Sequence, residues 1–227
     1  MQVDISSRPA YSLAYVKLEN GESVFAEAGA MVAISGGIEA SASLSGGVVR
    51  SALRRIVTNE SLVMTRFTAR VYGAWVALAP RFPGDVASLD MSHGHDMIVQ
   101  SGSLLAHSEH VEVNAAVGNL QSLALKEGAT VLRATGDGTL VIAAYGGLER
   151  FELRAGEQIV VDSGHVTAWS ASLGFRVGPL KGVMSSALTG EGIVGEFTGP
   201  GVLYVQTRAE QHLRSWILPE RGQDTGR

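Results

Sequence analysis

Four histidines, His93, His95, His107 and His110, fall within one stretch of 18 residues, and histidine is the side chain best suited to proton or metal chemistry near neutral pH. A metal site built on His93-Gly94-His95 would want a carboxylate close behind, and the residue that stands there is Gln100. The pair therefore reads as a solvated turn. His165 has Asp162 three residues before it, but a catalytic histidine needs a positioned nucleophile or carboxylate, and a strand followed by a turn supplies no such arrangement. The glycine pairs Gly36-Gly37, Gly46-Gly47 and Gly146-Gly147 lack the lysine and hydroxyl residue of a phosphate-binding loop. The expectation is a protein that is not an enzyme, with no catalytic, cofactor-binding or metal-ligating residue.

The same polar residues make better sense as parts of a repeat. Val24-Phe-Ala-Glu27-Ala-Gly29, Met97-Ile-Val-Gln100-Ser-Gly102 and Ile159-Val-Val-Asp162-Ser-Gly164 share one pattern: an apolar run, a polar residue, a small residue and glycine. Four residues past each glycine stands an alanine (Ala33, Ala106, Ala168), and five further on an aliphatic (Ile38, Val111, Leu173). Each block is preceded by a leucine, Leu18, Leu89 or Leu153, with two extra residues in the turn of the second copy, Met91 to Asp96. Each copy closes on a second block beginning at Glu60, Glu127 or Glu191. An apolar strand follows, at Ala74–Leu78, Thr139–Ala143 and Val202–Gln206. Acids repeated in this way suggest equivalent hydrogen bonds rather than catalysis, which usually requires two unlike environments.

The elements that position these residues read as short strands. Apolar residues make up 45% of the 227, glycine is frequent at 28, and the glycines separate short runs rich in Val, Ile and Leu. The glycine closing each first block suits a turn or bulge with positive φ. Gly136-Asp-Gly138 and Gly199-Pro-Gly201 suit hairpins. A unit of 60 to 70 residues buries little surface alone, so the copies are expected to pack on one another. The fold class is all-β: three tandem repeats of short strands, about a pseudo-threefold axis, with short amphipathic helical inserts. The boundaries are 1–79, 80–144 and 145–208, with a C-terminal helix and tail over 209–227. In that helix Leu213, Trp216 and Ile217 are placed to dock on the body.

Between the two blocks of each copy lies an amphipathic insert that reads as a short helix. In the first, from Gly46 to Val57, apolar residues at 48, 49, 52, 53, 56 and 57 share one face, and Arg50, Arg54 and Arg55 lie off it. The third, from Pro179 to Leu188, repeats the pattern, and the second, from Asn114 to Lys126, carries a weaker version. Val49, Arg50, Leu53, Arg54, Ile56, Val183 and Met184 form the candidate interaction surface, facing another subunit, a partner protein or a membrane surface.

Composition narrows the partner classes. The net charge of −4 and 6% aromatic residues do not favour nucleic acid, although a small-molecule or RNA-binding ring is the alternative reading. With no cysteine, no signal-like start and no apolar run near 20 residues, the expected location is the cytoplasm, with a peripheral place on the inner face of the membrane open to it.

The strings Gly21-Glu-Ser-Val-Phe-Ala-Glu-Ala-Gly-Ala-Met-Val32, Arg81-Phe-Pro-Gly-Asp85, Val161-Asp-Ser-Gly-His165 and Phe197 to Arg208 resemble the bacterial branch of an uncharacterised family. Its eukaryotic members are mitochondrial biogenesis proteins of the "altered inheritance of mitochondria" type. The resemblance spans roughly residues 3 to 208. It implies three tandem β-sandwich repeats of the short double-stranded β-helix type, each similar to the unit of the trp RNA-binding attenuation protein, a homotrimer or larger ring, and, in the mitochondrial branch, a role at the inner membrane. It brings no catalytic residues. The family's loops at the place of 46–57 are glycine-rich and apolar, whereas this one is richer in arginine.

Overall fold

Short Val-, Ile-, Leu- and Ala-rich runs broken by glycine have little choice but to pair as strands, because none is long enough to bury a helical face. The computed structural model describes residues 1–44, 63–116, 131–179 and 193–217. Among them lie nineteen strands, three single-turn 3₁₀ segments and one α-helix, α1 (Glu210–Ile217).

β1 (Gln2–Ser6) is followed by three sets of six strands. The first set is β2 (Leu13–Leu18), β3 (Ser23–Glu27), β4 (Met31–Ile34), β5 (Ile38–Leu44), β6 (Val63–Ala69) and β7 (Ala74–Leu78). The second is β8 (Val86–Asp90), β9 (Met97–Gln100), β10 (Leu104–Ser108), β11 (Val111–Ala115), β12 (Val131–Gly136) and β13 (Thr139–Ala143). The third is β14 (Leu148–Leu153), β15 (Gln158–Asp162), β16 (Val166–Ser170), β17 (Gly174–Pro179), β18 (Ile193–Thr198) and β19 (Gly201–Gln206).

Within every set the first strand pairs with the sixth and the sixth with the third, while the fourth pairs with the fifth and the fifth with the second. All of these pairings are antiparallel. A bulge falls at one equivalent place in each set, between Met31 and Ala33, Leu104 and Ala106, and Val166 and Ala168. Neighbouring sets are joined by sheet extension, β3 to β10 and β9 to β16. An axis closing the three sets within one chain would also pair β15 with β4. Those strands stand instead as edges of two separate sheets.

The pairing corrects the reading of the second turn. Leu18 lies opposite Ala74 and Leu153 opposite Gly201, and the equivalent place, where an amide reaches the carbonyl of Gly138, belongs to Met91 rather than Leu89. The turn therefore carries no extra residues. Gly21, Gly94 and Gly156 become equivalent, and all three have positive φ (87°, 73° and 79°). The block-closing glycines behave differently from expectation. Only Gly29 has positive φ, at 88°, whereas Gly102 and Gly164 sit inside right-handed 3₁₀ turns, Ser101–Ser103 and Ser163–His165. Serine precedes glycine in those two turns, Ser101 and Ser163, whereas Ala28 precedes Gly29.

Each set contributes one apolar cluster. Leu18, Phe67 and Val76 belong to the first, Met91, Ala134 and Leu140 to the second, and Leu153, Phe197 and Leu203 to the third. Each of the first two borrows from the following set, Leu105 and Ala106 in one case and Ala168 in the other. The clusters interlock across the sets.

A polar knot ties the N-terminal segment to the start of the second set. Arg8 makes a bidentate pair with the buried Asp85, through Nε at 2.9 Å and Nη2 at 2.8 Å, and Ser12 Oγ donates to the same carboxylate at 2.8 Å. Next to it, Gly84 forms a parallel bridge to Gly146, and a Cβ at Gly84 would run into the carbonyl of Ala144. The Arg81–Asp85 string is thus an architectural joint.

α1 begins one residue later than expected, and of the three side chains expected to dock only Leu213 is partly covered. Trp216 is 80% exposed and Ile217 is also exposed, whereas Ala209, just before the helix, is buried and Leu213 half-buried. The N-terminal end of the helix lies by the Ser163–His165 turn, where a Cβ at Gly164 would meet Gln211 Nε2 at 3.0 Å and the Ala209 Cβ at 3.2 Å.

Candidate functional site

The histidines separate into unlike environments. His107, on β10, is buried and stacks on Phe25, its Nδ1 3.0 Å from the carbonyl of Ser108, while its Nε2 has no hydrogen-bond partner among the described residues. Burial pushes its pKa below the ordinary histidine value, against the pull of the Ser108 and Val111 backbone, so it is held neutral. His95 is exposed in its turn and His110 is exposed between β10 and β11; the side chain of His93 lies outside the described residues. His165 places Nδ1 2.7 Å from the carbonyl of Gln206 and faces His212 of α1 at 6.2 Å between ring centroids. Among the described residues no group of three or more histidines and acids is gathered closely enough to hold a metal ion.

Of the equivalent polar residues at the ends of β3, β9 and β15, Glu27 reaches the segment before β8 and Gln100 reaches the third set, while Asp162 serves its own turn. Glu27 pairs with Arg81 at 3.1 Å; burial raises its pKa, and the Arg81 charge and hydrogen bond oppose that rise. Gln100 donates to the carbonyl of Ser163 at 3.1 Å, and Asp162 accepts the amide of Gly164 at 2.9 Å, fixing its 3₁₀ turn. Glu60, Glu127 and Glu191 lie outside the described residues.

A cavity of about 300 Å³ opens where the second and third sets meet α1, lined among others by Phe82, Gln100, Ser103, Tyr145, Gln206 and Arg214. Its polar groups are largely committed. Gln206 donates to the carbonyl of Gly164 at 2.9 Å and accepts the amide of Tyr145 at 2.9 Å, and Arg214 pairs with Glu210 one helical turn away. Nothing in the sequence marked this cavity, because its wall comes from strand ends about 100 residues apart along the chain, Gln100 and Gln206 among them.

The candidate interaction residues Val49, Arg50, Leu53, Arg54, Ile56, Val183 and Met184 lie outside the described residues. Their points of attachment are described. The first insert leaves and re-enters at the facing pair Leu44 and Val63, the second at Ala115 and Leu132, the third at Pro179 and Ile193. Asn114 and Ala115, read as the start of the second insert, instead complete β11, because each pairs across to β12.

Strands and registers of this kind define an all-β protein of several antiparallel sheets, with one short helix among the described residues. The chain belongs to the mitochondrial biogenesis AIM24 family, whose model matches residues 3–208. It is 28% identical over 215 residues to an uncharacterised protein of Streptococcus pyogenes serotype M6, covering 91% of this chain and 86% of that one. It is similar to a crystal structure of a Streptococcus pyogenes protein, with 27% identity, a TM-score of 0.76, and coverage of 95% of this chain and 97% of the other. No helix among the described residues is long and apolar enough to cross a membrane.

Proposed function

We propose that the chain is three copies of one six-stranded unit, and that it serves as a non-enzymatic, oligomeric β-scaffold that binds a partner protein or membrane surface through its inserts. The observation that carries this reading is the place of the inserts. All three connect the fourth and fifth strands of a unit, at the tip of the same hairpin. Three amphipathic segments leaving from equivalent points act together, so weak individual contacts add. The commitment of His107, His165, Gln100 and Asp162 to holding backbone and ring contacts supports a scaffold over a catalyst.

The test is flotation with vesicles of phosphatidylethanolamine and phosphatidylglycerol, together with sedimentation velocity, on the full chain and on Leu53→Asp with Ile56→Asp. The double variant is expected to lose most vesicle binding or to sediment as a smaller species. Wild-type behaviour in both assays would make the inserts inert.

The cavity beside α1 favours a second reading, a small-molecule site between units. At about 300 Å³ it stands at the lower end of ligand pockets. Ligand density there after soaking a small-molecule cocktail, abolished by Ser103→Trp, would support it.

A further inference from the structure

β4 carries the sequence Met31-Val-Ala-Ile34, and three of these apolar residues are open to solvent: Met31 at 46%, Val32 at 56% and Ile34 at 39%. The strands in the same place in the other two sets, Leu104 to His107 on β10 and Val166 to Trp169 on β16, are buried throughout. The difference lies in the neighbour. β10 is covered by β3 and β16 by β9, while no described strand covers the outer edge of β4. β15 is the complementary case. It corresponds to β3 and β9, pairs on one side only among the described strands, and exposes Val160 at 48%. The edges are short, four and five residues, but an exposed apolar edge still templates pairing with another strand.

The two seams already present have one register. Ala106 faces Ala26, His107 faces Phe25 and Ser108 faces Val24; Ala168 faces Val99, Trp169 faces Ile98 and Ser170 faces Met97. Carried to the third position, the same register sets Ala33 against Val161, Ile34 against Val160 and Ser35 against Ile159.

We infer that β4 of one molecule pairs antiparallel with β15 of a second copy of this chain, in that register, repeating between molecules the seam made twice within each. The occupant is fixed by continuity. Each edge is the free counterpart of a strand whose partner within the chain is known. The contact is heterologous, head to tail, and closes into a ring where the rotation allows. The inference deepens the oligomeric part of the proposed function, and it does not depend on the inserts.

The chain has no cysteine, so two single-cysteine proteins, Ile34→Cys and Val160→Cys, make a clean test. Under mild oxidation the mixture is expected to yield disulfide-linked dimer at least ten times above either protein alone. Cross-linking within either protein alone, or none in the mixture, would overturn the pairing. So would the two-cysteine chain closing on itself at monomer mass. A charge exchange guards against a folding artefact: Ile34→Lys and Val160→Glu should each reduce the sedimenting mass, and the two together in one chain should restore it. Failure of these variants to change mass while Leu53→Asp with Ile56→Asp still abolishes vesicle binding would sink the edge pairing and leave the insert reading standing; the converse would do the opposite.

Discussion

His107 lies flat against Phe25, ring centroids 5.1 Å apart and planes 8° apart, across the seam where β10 pairs with β3. At the next seam the equivalent residues are Trp169 and Ile98. A histidine in that place works as a flat, neutral ring, and protonation would put a charge among apolar neighbours. Because burial lowers its folded pKa below the usual 6.5, the unfolded chain binds the proton more readily. Stability should therefore be full above about pH 6.5 and fall as the pH drops below it, with a slope of up to about 1.4 kcal/mol per pH unit. Urea unfolding between pH 8 and pH 5 measures this, and His107→Phe should flatten the curve.

Asp85 adds a second, more acidic step. Burial raises its pKa, but Arg8, Ser12 and the amide of Val86 together outweigh that and hold it below 3.8. Its contribution is present above that value and lost as the pH falls through the lowered one. Glu27, whose pKa is raised, acts in the opposite sense, since ionising it in the fold is unfavourable. Asp85→Ala should cost about 2 to 4 kcal/mol at neutral pH by leaving Arg8 and Ser12 without their acceptor. Denaturant titration of that variant beside Arg8→Ala would show whether the losses overlap, as a shared knot requires.

How much was legible in the sequence follows the physics of each signal. Strands such as Ala74–Leu78 and Thr139–Ala143 could be placed to the residue, because apolar runs and hairpin glycines are local signals. The offset between the first and second sets could not. In the sequence Leu89 is the better counterpart of Leu18, and only pairing across the sheet gives that place to Met91. The seams between β3 and β10 and between β9 and β16 join residues about 70 to 80 positions apart, which no local pattern encodes. The cavity beside α1 was invisible for the same reason. The inserts carry a clear sequence pattern, yet what they bind depends on a surface outside the chain.

The glycines give a direct test of equivalence. Gly21, Gly94 and Gly156 share positive φ and open surroundings, so alanine at each should cost about 1 to 2 kcal/mol, and by similar amounts. Gly102→Ala should cost far less than Gly29→Ala, because only Gly29 has positive φ. Thermal unfolding of the five single variants checks both statements.

Two substitutions probe the joints. Gly84→Ala drives a Cβ into the Ala144 carbonyl and should destabilise by about 3 kcal/mol, parting the bridge to Gly146. Trp169→Ala empties the centre of the third cluster, where the indole meets Phe175 at 5.1 Å and Phe197 at 5.5 Å, and should cost about 3 to 5 kcal/mol. Calorimetry on each would give the loss, with the Trp169 variant the more damaging to the third set.

Amide hydrogen exchange on the intact protein, followed across a hundredfold dilution, bears most directly on a scaffold of like units joined edge to edge. Residues 31–34 and 158–162 are expected to exchange as slowly as β10 and β16 when the protein is concentrated, and to speed up together on dilution while the two internal seams stay protected. Rapid exchange in both edge strands at every concentration would contradict the account.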